Sequence, residues 1–61
     1  MIKKNVYTKN NKSYVIKEYD NGSREVWENG FWGSKIGEVK TTEDALALIK
    51  VTSGSDIKSI A

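Results

Sequence analysis

The chain has no cysteine and no histidine, and each absence removes a class of chemistry. Without cysteine there are no disulfides, and without either residue the strongest transition-metal ligands are gone. The usual nucleophile–base pairs of covalent catalysis are missing as well. No cluster of carboxylates falls at the loop spacing that calcium needs. There is no proline to break or kink an element, and Arg24 is the only arginine. No apolar run is long enough for a membrane-spanning helix, and Ile2-Lys3-Lys4 opens no signal-peptide pattern. A cytoplasmic, non-enzymatic protein with no cofactor, no metal, no membrane partner and no small-molecule substrate is the expectation.

What remains is a chain of 61 residues, 38% hydrophobic and 30% charged, which suits a folded domain better than a disordered one. A domain of this size buries only about 60% of the surface its unfolded chain exposes. Its stability must therefore come from a few aromatics, good turns or self-association. The net charge of +2 is uneven. Residues 1–24 carry six bases (Lys3, Lys4, Lys9, Lys12, Lys17, Arg24) against two acids, a net of +4. Residues 25–61 carry four bases against six acids, a net of −2. A basic first half can meet phosphates or an acidic protein, and it also suits an ordinary solvated surface.

Turn signals punctuate the first forty residues: Asn10-Asn11, Asp20-Asn21-Gly22 and Asn29-Gly30. Between them lie segments rich in Tyr, Val, Ile, Trp and Thr, the residues strands prefer. At Thr41 the pattern changes. A Thr N-cap, Glu43 and Asp44 in the first turn, and the run Ala45–Ile49 predict a helix, with Gly54 closing it. The expected fold is α+β: a four-stranded antiparallel β-meander followed by one C-terminal α-helix packed on one sheet face (ββββα). Residues 1–54 form the single small domain, and 55–61 a short C-terminal tail or extra turn.

Register follows from the turns. A two-residue Asn29-Gly30 loop sets Glu28 against Phe31 and pairs Trp27 with Trp32 across the hairpin. At the preceding turn, a two-residue loop would oppose Glu18 and Glu25. A three-residue loop with Gly22 left-handed instead pairs Glu18 with Arg24 and Lys17 with Glu25, which charge favours. The sheet then has two apolar faces, one with Val15, Tyr19, Trp27, Trp32 and Ile36, the other with Tyr14, Ile16, Val26, Phe31 and Val39. A single helix covers only one. Gly33 and Gly37 make room beside Phe31, which favours that side as the core and leaves the tryptophans outside. The reverse arrangement, tryptophans in the core, is the alternative.

Phosphate-loop spacing is absent from the glycine-bearing stretch Gly30–Gly37, and strand geometry explains these glycines better. The stretch IGEVKTTEDALALI, Ile36 to Ile49, is similar to the strand–threonine–acidic-helix junction of two sheet-plus-helix DNA-binding families. These are the arm-binding domains of tyrosine recombinases and a class of plant transcription-factor domains. That resemblance implies DNA contacts from basic residues on the sheet. Here Glu18, Glu25 and Glu28 occupy strand positions, and a lone arginine is a poor set of guanine readers.

The leading expectation is a small binding protein, a regulator or inhibitor of the kind phages and mobile elements carry, docking an aromatic sheet face on a protein partner. Trp27 and Trp32 are the anchors, Tyr19, Val15 and Ile36 complete the patch, and Lys17 and Glu25 set register. A homodimer through the same face is a close variant. The alternative is a nucleic-acid-binding module using Lys3, Lys4, Lys9, Lys12, Lys17 and Arg24 with the sheet aromatics.

Overall fold

The computed structural model describes all residues, Met1–Ala61. The strands are β1 (Ile2–Thr8), β2 (Ser13–Glu18), β3 (Arg24–Glu28), β4 (Lys35–Val39) and β5 (Ile57–Ile60), with the helix α1 (Thr42–Ser53) between the last two. They form one sheet in the order β4-β3-β2-β1-β5, every neighbouring pair antiparallel. The first four strands are the expected meander, and the helix packs on one face of it. Helix α1 leaves the β4 edge and returns the chain to the opposite edge, where β5 pairs with β1.

The expectation for residues 55–61 is corrected here: Ile57–Ile60 is a strand, not a tail or extra turn. Asn5 and Ala61 exchange both backbone hydrogen bonds at 2.8 Å, and the Lys9 amide donates to the Asp56 carbonyl at 3.0 Å. Ile57 packs against the core from this strand. An unpaired β1 edge would leave a row of backbone groups open, and β5 closes it.

The core lies between the sheet and α1. Val6, Tyr14, Ile16 and Val26 come from alternate positions of the three central strands, and Ala45 and Ile49 from the helix. Ile36, Val39, Leu46, Leu48 and Ile57 close its margins. Helix capping follows the sequence. Thr41 Oγ1 accepts from the Asp44 amide at 3.0 Å, and Gly54, at φ 69°, donates its amide to the Lys50 carbonyl. Asn10 Nδ2 donates to the Ser53 carbonyl at 2.9 Å, tying the β1–β2 turn to the end of the helix. Gly37 lets the helix approach, because an added Cβ would lie 2.7 Å from Leu48 Cδ2.

The β2–β3 register pairs Glu18 with Arg24, Lys17 with Glu25, Ile16 with Val26 and Val15 with Trp27. It is the register that charge favours, and Gly22 sits at φ 88° in the turn. The next hairpin departs from expectation. Asn29-Gly30 is not a two-residue loop: β3 and β4 are joined by Asn29–Ser34, closed by the Glu28 amide on the Ser34 carbonyl at 2.9 Å. Trp27 therefore pairs with Lys35 and not with Trp32. The physical reason is strand length. A tight turn would slide Ile36–Val39 past the start of β3, losing their ladder bonds, whereas the longer loop pairs Arg24 with Val39 and keeps all of β4 on the sheet. A β-bulge between Val26 and Trp27 shifts the register, and Ile36 packs on the helix side.

Candidate docking surface

The sheet face away from the helix is built by strand alternation. Val15 and Lys17 come from β2, Glu25 and Trp27 from β3, Lys35 and Glu38 from β4, and Lys3, Asn5 and Tyr7 from β1. Its centre is the Glu25 carboxylate. Oε1 accepts from the Tyr19 hydroxyl at 2.8 Å and from Trp27 Nε1 at 3.1 Å, while Oε2 accepts from Lys35 Nζ at 3.2 Å. Hydrogen bonds from Tyr19, Trp27 and Lys35 hold Glu25 down from 4.5 to about 2. The same contacts raise the Tyr19 hydroxyl and the Lys35 ammonium, each chiefly through its bond to Glu25.

Lys35 resolves a conflict in the register. Glu25 and Glu38 lie directly opposite each other on β3 and β4, a repulsive pair on its own. Lys35 Nζ sits between them, 3.2 Å from Glu25 and 3.4 Å from Glu38. On the other side, Lys17 Nζ stands 4.3 Å above the centre of the Trp27 ring. Such a cation–π contact contributes about 0.5–1 kcal/mol at exposed sites. Trp27 is thus a half-buried plate, clamped by Glu25 at its edge and by Lys17 on its face.

The largest exposed apolar feature is next to this plate in the chain. The Gly33 amide donates to the Gly30 carbonyl at 3.1 Å, making a turn with Phe31 and Trp32 at its two central positions. Phe31 is 90% exposed and Trp32 89% exposed. Their rings meet edge to face, centroids 4.8 Å apart at 88°. Gly33 is required here by close packing, since a Cβ would fall 2.0 Å from the Glu28 carbonyl oxygen. The turn is therefore anchored at its base while its two aromatics face solvent.

Of the expected docking residues, the structure brings Val15, Lys17, Tyr19, Glu25 and Trp27 together on the open face. Trp32 is set apart on the turn, because the Trp27–Trp32 pair does not form. Ile36 is corrected to the helix side, where the bulge carries it. Phe31, expected in the core, is in the solvent with Trp32. Lys35 and Tyr7 were missed. A signal for the turn was present in Gly30-Phe31-Trp32-Gly33, two aromatics bracketed by glycines.

The nucleic-acid set is dispersed. Lys3 and Lys17 are neighbours on the open face. Lys4 pairs with Glu18 at 3.0 Å near the helix-side margin. The Arg24 guanidinium donates to the Lys40 carbonyl at 2.7 Å and the Gly22 carbonyl at 3.0 Å, and its Nε lies 3.8 Å from Glu18. Lys9 and Lys12 belong to the β1–β2 turn. No helix is long and apolar enough to cross a membrane. No family model, curated protein or solved structure matches the chain.

Proposed function

We propose that this chain is a small, non-catalytic binding protein, a regulator or inhibitor that docks on a protein partner through the Phe31–Trp32 turn and the Trp27 face. The observation that carries the reading is the turn itself. Two large aromatics at about nine-tenths exposure are costly to leave in water, and the turn that carries them packs so closely at its base that Gly33 has no room for a side chain. Aromatics of this kind anchor interfaces by filling pockets on a partner, with charged groups at the rim fixing orientation. Glu25, Lys35 and Glu38, locked to one another, supply such a rim.

Electrostatics weighs against a phosphate-bearing partner at this face. Glu25 and Glu38 would lie close to the backbone of a bound strand, Lys17 already occupies the Trp27 ring face, and Arg24 is engaged with carbonyls. The test is a salt titration of two complexes: one with a protein partner captured by crosslinking, the other with a mixed-sequence single-stranded oligonucleotide. An aromatic protein interface should hold its affinity as salt rises, and the oligonucleotide should bind weakly throughout. Tight oligonucleotide binding with a steep negative salt slope would assign the chain to nucleic acid instead.

A further inference from the structure

We propose that Asn29 is a site of spontaneous deamidation, made selective by the fold over the second Asn-Gly pair at Asn21-Gly22. Both pairs lie in exposed loops and both offer an unhindered glycine amide. The local hydrogen bonding separates them. At Asn21 the side-chain oxygen accepts from the Ser23 amide at 3.0 Å and the Ser23 hydroxyl at 2.7 Å. The Gly22 amide, the nucleophile there, is committed to the Tyr19 carbonyl at 3.0 Å. Cyclisation at Asn21 must first release the Gly22 amide from the Tyr19 carbonyl, and the two Ser23 bonds hold the side chain in one rotamer.

At Asn29 nothing comparable stands in the way. The Gly30 amide donates to no group of the chain, and the Asn29 side chain makes no hydrogen bond. The Asn29 backbone amide is fixed by the Ser13 carbonyl at 3.1 Å, so the residue is anchored on one side and free on the other. Gly30, at φ 133°, adds no side chain to crowd the reacting carbon.

The reaction balances with water alone. Hydroxide takes the Gly30 amide proton, and the nitrogen bonds to Cγ of Asn29. The Cγ–Nδ2 bond then breaks, its nitrogen takes up a proton, and ammonia leaves a cyclic imide. Water opens the imide at either carbonyl. Opening at Cγ leaves aspartate at position 29. Opening at the backbone carbonyl leaves isoaspartate, with the chain running through an added methylene. Either product places a new carboxylate beside Glu28, whose own carboxylate accepts from the Ser34 hydroxyl at 2.9 Å across the base of the loop. The reaction stands apart from the docking reading, although its product lies at the root of the Phe31–Trp32 turn.

The experiment is peptide mapping by mass spectrometry of the purified protein, aged in mildly alkaline buffer, both folded and in urea. The folded protein should convert Asn29 several-fold faster than Asn21, and urea should bring the two rates together. Equal rates in the folded protein, or faster conversion at Asn21, would overturn the proposal. So would a preference for Asn29 that persists undiminished in urea, because the selectivity would then belong to local sequence and not to the fold.

Discussion

Glu25 shows how much a single side chain can organise on a sheet of this size. It joins Tyr19, Trp27 and Lys35 on one face and, through Lys35, accommodates the opposed Glu38. Its carboxyl is depressed from 4.5 to about 2, so the folded state favours the ionised form more than the unfolded state does. The resulting stabilisation is full above the unfolded value and is lost as pH falls towards the folded one. Urea midpoints of the native protein should therefore decline between about pH 5 and about pH 2 more steeply than those of Glu25→Gln. Parallel declines would mean that Glu25 is not held as described. The Glu18–Arg24 and Lys17–Glu25 pairings could be read from charge alone. The role of Lys35 could not, because its place opposite Trp27 depends on a bulge that sequence does not announce.

At the scale of elements, local signals and tertiary demands part company twice. Turn residues, β-rich segments and the Thr41 cap made the meander and helix legible, since each signal acts within a few residues. Asn29-Gly30 misled because a hairpin preference worth little on its own yields to pairing all of β4 with β3. Strand β5 was missed for a related reason. Ile57-Lys58-Ser59-Ile60 has too few residues to show a period, and only the open edge of β1 makes it a strand. Truncation after Gly54 tests this. It removes the Asn5–Ala61 bonds and the Ile57 contact and bares the β1 edge. The shortened chain should lose its cooperative thermal transition and near-ultraviolet circular dichroism. A truncated chain that melts like the full one would return residues 55–61 to the status of a tail.

For the whole molecule, the core is small: six hydrophobic residues are buried out of 61. A domain so lightly built has little stability in reserve. Yet its two most exposed large aromatics contribute almost nothing to that core. The core thus rests on Ile16, Val26 and Ile49, and the docking role proposed for Phe31 and Trp32 falls on residues outside it. Residues as exposed as these usually change stability by no more than about 0.5 kcal/mol when replaced, whereas truncating a buried isoleucine costs about 2–5 kcal/mol. The most direct measurement is the affinity of a captured protein partner for the native chain and for the Phe31→Ala/Trp32→Ala variant, each melted in parallel. The expected result is an almost unchanged melting temperature together with at least a tenfold loss of affinity, about 1.4 kcal/mol. A variant that binds as well as the native chain, or one that unfolds, would contradict it.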